Sequence, residues 1–335
     1  MDPHALDTAS RVRHGGTSDP HVIDFSANTN PETPPGVTAV YDAALGGARR
    51  YPADDYGEFR AAASDYVDCD PTEVIPTAGA MAGIRLLFSM VVDAGSTVVV
   101  PEPSFGEYAH EVRIQGGETV GVDHDRIADV DPAGHEMVVV CRPNNPTGEA
   151  VDIGPLRDLA ERCRSAGATL FVDEAFLDFT PRRSIAGEPG VVVARSLTKV
   201  FGLPGLRAGF LVAVGRTRDR LDVCRPAWGM STPACDVGTH CLRNEEFVVR
   251  TRQRVASERE RLRERLASRW ELFPSDAPFL LIDVGEDDPC DVLDAARQGG
   301  VAIRDARTFT GLDNHVRTAV RRPDENDRLL SALDV

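Results

Sequence analysis

The 335-residue chain has almost no lysine: of 37 lysines and arginines, one is lysine, Lys199. Arginine serves as well as lysine as a surface cation. A chain that sheds every lysine but one has kept it for something arginine cannot do. Lysine can lose its proton near neutral pH and attack a carbonyl to form an imine; arginine stays protonated.

The other shortages narrow the function further. Cations are outnumbered, with a net charge of −16, which excludes nucleic acid and anionic membrane surfaces as expected partners. No apolar run approaches the roughly 18 residues of a membrane span. The N-terminus lacks an apolar signal core, so a cytoplasmic location is expected. The seven cysteines form no Cys-x-x-Cys pair, and the eight histidines show no His-x-x-x-His spacing. Neither a disulfide framework nor a metal site is expected. Acidic residues spread evenly along a chain nearly free of lysine suit a protein adapted to high salt, where repulsion is screened.

What is present is an alternation of short apolar strands and helices. Ser96–Pro101, Met137–Cys141, Leu170–Asp173, Val191–Arg195 and Ala208–Ala213 read as buried strands, and 79–92 and 155–166 as helices. Apolar strands without polar alternation imply an α/β fold, with a mostly parallel sheet covered on both faces. The first forty residues, rich in Gly, Pro, Asn and Asp, read as an arm with little regular structure. A long arginine-rich helix over 246–269 precedes a smaller α/β unit with strands at Phe279–Val284 and Val301–Arg304. The expected division is an arm at 1–40, a large domain at 41–220 and a small C-terminal domain at 221–335.

Polar residues follow the strand ends: Ser104-Phe105, Asn145, Asp173 and Ser196 to Lys199. Ligands of open α/β sheets bind at the carboxyl ends of strands, so these positions are expected to converge. Asp173 follows the apolar run Leu170-Phe-Val, where a carboxylate is costly to bury without a cation.

Asn145-Pro-Thr-Gly148, Asp173-Glu-Ala175, Ser196-x-x-Lys199 and the trailing Arg207 occur in an order and spacing that resembles the fold-type-I pyridoxal-phosphate (PLP) enzymes, the aminotransferase-like superfamily. The resemblance implies a large domain with a seven-stranded type of sheet and a smaller C-terminal domain. It implies that Lys199 holds PLP covalently and that Asp173 pairs with the pyridine nitrogen. A carboxylate there favours the protonated ring and so a better electron sink. Asn145 corresponds to the asparagine on the phenolic oxygen. Ser196, Arg207 and the turn Gly79-Ala80-Met81 correspond to the phosphate ligands. Phe105 matches the aromatic that stacks on the ring. Tyr51 resembles a tyrosine that reaches the neighbouring subunit's phosphate, which implies a homodimer with shared sites. Many relatives carry Tyr three residues after the pyridine-pairing Asp; this chain has Phe176. Losing that donor weakens stabilisation of the phenolate.

Two subgroups are similar. Broadly the chain resembles the histidinol-phosphate aminotransferases. His14-Gly-Gly16, Asp24-Phe-Ser-Ala-Asn-Thr-Asn-Pro31, Phe176 and Val316-Arg-Thr-Ala-Val-Arg321 resemble more specifically the L-threonine O-3-phosphate decarboxylases of cobalamin biosynthesis. Thr17 departs from that pattern, which has Asn after His-Gly-Gly. The expectation from the second resemblance is loss of CO₂ from threonine phosphate to give (R)-1-amino-2-propanol O-2-phosphate; the alternative is amino transfer. Either way the substrate is a small phosphorylated amino compound. His14, Asn28, Arg304 and Arg317 are the expected substrate contacts, Arg317 for the acid group, Arg304 and His14 for phosphate. A serine acyl-enzyme reading of Ser196-x-x-Lys199 needs a Lys-Thr-Gly element, which a chain with one lysine does not have.

Overall fold

A computed structural model describes residues 1–335. Thirteen strands form three sheets. In chain order they are β1 (Ile23–Asp24), β2 (Val74–Thr77), β3 (Thr97–Glu102), β4 (Glu118–Asp123), β5 (Met137–Cys141), β6 (Thr169–Asp173), β7 (Val191–Ser196), β8 (Gly209–Val212), β9 (Glu271–Leu272), β10 (Phe279–Asp283), β11 (Val301–Ala302), β12 (Arg304–Asp305) and β13 (His315–Ala319).

Seven of them make the large sheet, ordered β2-β8-β7-β6-β5-β3-β4. Strands β7, β6, β5, β3 and β4 run parallel, and β8 is antiparallel to both neighbours. The apolar runs lie where sequence places them because helices cover both faces, so each residue of β5 and β7 is buried. Strand β4 is invisible to that logic. It is the edge strand, nearly all exposed, and its Glu-Thr-Val-Gly-Val-Asp has no core to fill.

A four-stranded sheet, β12-β13-β10-β9, forms the C-terminal unit. The expected strand Val301–Arg304 is two: β11 pairs in parallel with β1, and β12 pairs with β13. The arm is correspondingly less irregular than its composition implies. It carries a short helix at Pro3–Thr8, and the 23–25 stretch is stitched to the small unit by Phe25 N to Ala302 O (2.7 Å) and Ala319 N to Phe25 O (2.9 Å). The helix Thr232–Leu242 packs on Val37–Gly47 and Gly57–Val67, and the 22-residue helix Glu245–Leu266 runs from there to the small sheet. No helix is long and apolar enough to cross a membrane.

The topology places the carboxyl ends of β5, β6 and β7 side by side, with Cys141 opposite Asp173 and Asp173 opposite Ala194. The small sheet and the arm close over that edge.

Candidate active site

A cavity opens at these strand ends, lined by Ala80, Met81, Phe105, Tyr108, Asn145, Asp173, Phe176, Ser196, Thr198, Lys199 and Arg207, among others. Strand β7 ends at Ser196, whose hydroxyl caps the one-turn helix Leu197–Val200. That turn carries Lys199, half-buried, into the cavity. Burial and the nearby Arg317 pull its ammonium down to about 8, with Asp173 opposing. A fraction of the amine is therefore free near neutral pH, as attack on a carbonyl requires.

Asp173 closes β6. Burial pushes its carboxyl above the ordinary carboxylate range; the Tyr108 hydroxyl, the Ala175 N–H and Lys199 pull it back. Tyr108 donates to Oδ2 at 2.7 Å and Ala175 N to Oδ1 at 3.0 Å. A carboxylate held this way gains most from a cation brought to it. Tyr108 escapes sequence reasoning because a buried aromatic reads as core. The available signal was its spacing: three residues after Phe105, it presents its ring to the same face, edge-on to Phe105 at 5.5 Å between centroids.

On the opposite wall the helix Ala80–Val91 starts at Gly79, which has φ of +86°. A Cβ on Gly79 would lie 2.7 Å from a guanidinium nitrogen of Arg207, so Gly lets the arginine pack on the helix start. Arg207 donates to Pro204 O at 3.1 Å and has no carboxylate in ion-pair distance. A guanidinium beside the positive end of a helix is unfavourable unless an anion joins them. Ser196 and Thr198 hydroxyls, 2.8 Å apart, complete the polar side.

Asn145 accepts from an Arg317 Nη through its Oδ1, and its amide N–H groups have no protein partner. Arg317 also donates to Ser26 O at 2.9 Å. It thus joins Asn145, the stretch after β1 and the small sheet. Arg317 and Arg304 lie directly opposite across β13 and β12. Both are buried and neither has a carboxylate partner. Burial and Arg304 bring Arg317 down to about 9, the mark of a cation without a counterion. Arg304 donates to Arg13 O (2.7 Å) and Thr308 (2.8 Å). Asn28 is buried near the arm's entry with its Oδ1 unpaired. His14 pairs with Glu107 at 2.6 Å and lies 5.7 Å from the Phe105 ring, at the cavity's rim. Tyr51 is outside its own chain's cavity, exposed and stacked on Trp228 at 4.5 Å. Phe176 is buried against Phe279, with the Lys199 amine 5.5 Å from its ring centre.

Lys199, the buried Asp173, Phe105 and an arginine at a helix start share one cavity, the arrangement of a PLP enzyme of fold type I. The residues fit the cofactor. Lys199 can hold its aldehyde carbon, Asp173 its ring nitrogen, Asn145 its phenolic oxygen, and Arg207, Ser196 and the Gly79–Met81 turn its phosphate.

Comparison with known proteins agrees. The chain belongs to the aminotransferase class I and II family, whose model matches residues 20–333. It is 31% identical over 320 residues to histidinol-phosphate aminotransferase 1 of Archaeoglobus fulgidus, covering 93% of this chain and 98% of that one. A crystal structure of histidinol-phosphate aminotransferase from Sinorhizobium meliloti in complex with pyridoxal-5'-phosphate superposes with a TM-score of 0.88 at 21% identity, covering 99% and 96% of the two chains. L-threonine-O-3-phosphate decarboxylase from Porphyromonas gingivalis also superposes, with a TM-score of 0.84 at 22% identity over 93% and 98%. That likeness is one of fold.

The decarboxylase expectation is therefore corrected. Relatives matched in sequence at 28–31% identity are named histidinol-phosphate aminotransferases, and the decarboxylase is a neighbour in structure. Nothing in the placement of His14-Gly-Gly or Phe176 favours loss of CO₂. His14 is at the rim, and Phe176 packs beneath Lys199 and against Phe279. With it go the expected aminopropanol phosphate product and the cobalamin pathway.

Tyr108→Phe is expected to weaken PLP binding by about ten- to a hundredfold, since a hydrogen bond to a charged group is worth about 1.5–3 kcal/mol. Absorbance titration of the cofactor-free protein measures it.

Proposed function

We propose that this enzyme is a PLP-dependent aminotransferase acting on a phosphorylated amine of the histidinol-phosphate kind. The observation that carries the reading is the facing pair Arg304 and Arg317, buried without a carboxylate on paired strands of the small sheet, with Arg317 reaching the cavity through Asn145. Two like charges directly opposite on paired strands are destabilising. A dianionic phosphate would offset both. Histidinol phosphate bears a phosphate and no carboxylate, so it can use both arginines; the 2-oxo acid that accepts the amino group would place its carboxylate there in turn.

When bound, PLP supplies the electron sink that makes the hydrogen on the substrate's amine-bearing carbon acidic. The protein's share is to hold and move that proton. Lys199 Nζ, whose ammonium burial and Arg317 bring down to about 8, would be the base that takes it. Asp173, whose carboxyl burial pushes up and the Tyr108 and Ala175 donors pull back, would face the ring nitrogen and favour its protonated form. Asn145 is fixed by Arg317, so a substrate anion on that arginine is reported to the phenolic edge of the site. Phe105 and Phe176 line the same cavity and would supply apolar surface for the ring.

Support for a homodimer is the exposed Tyr51–Trp228 stack, an apolar feature outside its own cavity that suits a partner subunit's site.

The test incubates loaded enzyme with histidinol phosphate and 2-oxoglutarate. One glutamate per amine consumed is expected, and Arg304→Gln should raise KM for histidinol phosphate far more than for unphosphorylated histidinol. Release of CO₂ from phosphorylated threonine, with no amino transfer from any phosphorylated amine, would contradict the reading.

A further inference from the structure

At each of the three strand ends that build the site, one residue faces the cavity and its chain neighbour faces the other way. The pairs are Cys141/Arg142 at the end of β5, Asp173/Glu174 at the end of β6 and Ser196/Arg195 at the end of β7. Alternation along an extended chain makes this necessary. The three back-facing residues are all charged and all buried: Arg142 is 1% exposed, Glu174 0% and Arg195 4%.

They meet. Glu174 accepts from Arg195 Nη1 at 3.0 Å, Arg142 Nη1 at 3.5 Å, Ser184 Oγ at 2.5 Å and Ile185 N at 3.1 Å. Arg195 also reaches Asp178, which accepts from the Tyr66 hydroxyl at 2.7 Å. Two arginines and two carboxylates balance. Main-chain bonds run alongside, from Arg142 N to Asp173 O (2.8 Å) and from Glu174 N to Ala194 O (3.0 Å).

Apolar residues of similar size would serve stability as well, since buried ion pairs barely offset their desolvation. What a carboxylate shared by two guanidiniums adds is geometry. We propose that Glu174 is a positioning residue. By clamping Arg142 and Arg195 it fixes the ends of β5, β6 and β7 relative to one another, and so fixes Asn145, Asp173 and Ser196 around the cofactor. This rests on the cofactor site above, not on which amine is the substrate.

The experiment compares Glu174→Gln with Asp178→Asn, using dimeric protein, and measures melting temperature, PLP dissociation by absorbance titration, and kcat and KM with whichever amino donor is turned over. Asp178 belongs to the same cluster but adjoins no cavity-facing strand end. Misplacement of a positioned group by about 1 Å can cost about a hundredfold. The expected result is that both variants melt lower, while Glu174→Gln alone loses about tenfold or more in both PLP affinity and kcat, with KM changed by less than about threefold. Equal losses in the two variants, or PLP affinity and kcat unchanged in Glu174→Gln, would overturn the assignment. If Glu174→Gln does not fold, Glu174→Asp takes its place under the same criteria, since it keeps the charge but retracts it by one methylene. The PLP arm uses no substrate, so it separates failure of this proposal from failure of the substrate assignment.

Discussion

Lys199→Arg is expected to leave a folded protein with kcat lower by about 10⁴-fold or more, because the proton-transfer base and the covalent anchor vanish together. The substitution keeps the charge and adds one more guanidinium to a chain that already carries 36. What it removes is a nitrogen that titrates. In place, the Lys199 amine is brought to about 8 by burial and by Arg317, so it is available as a base at physiological pH. An arginine there remains a cation throughout. The measurement is single-turnover amino transfer beside the far-ultraviolet spectrum and melting curve of the same sample. A lysine placed at any surface arginine should change neither.

Asp173→Asn carries the second large effect, a loss of about 10²–10³-fold in kcat, the scale for removing one charge-stabilising group from a preorganised site. Asparagine keeps the size and can still accept from Tyr108, so packing is preserved. The charge opposite the ring nitrogen is lost. Stability should move the other way. Burial raises the Asp173 carboxyl above its unfolded value, so above the usual carboxylate range the folded state bears a charge it would rather not have. Removing that charge is expected to hold or raise the melting temperature of the cofactor-free protein while activity collapses. Such opposed signs mark a residue retained for chemistry at the expense of stability. A parallel fall in melting temperature and kcat would instead make Asp173 a structural strand-end residue.

Much of this was legible in the chain. The central strands announce themselves because they are buried on both faces, and Lys199, Asp173 and Asn145 stand out because polar residues at apolar strand ends are costly without a purpose. Other features were not legible. Strand β4 hides because an edge needs no apolar face. The split of Val301–Arg304 between two sheets hides because the partners, β1 and β13, are remote in sequence. The choice of reaction hides because it depends on where the substrate's anions are pinned, and an arginine such as Arg317 would hold the anion in either reaction. Arg304 and Arg317 were named singly. That they face each other without a counterion is a property of strand register, which no local pattern encodes. Tyr108 and Glu174 share a different disguise: one reads as core, the other as an ordinary charge.

The central claim is that the chain's single lysine is where its cofactor attaches. Borohydride reduction of the PLP-loaded protein, followed by peptide mass spectrometry, tests this directly. One pyridoxyl group per chain, on the peptide containing Lys199, is the predicted result. Cofactor recovered free after reduction, or found only on the N-terminal amine with Lys199 unmodified, would contradict the account.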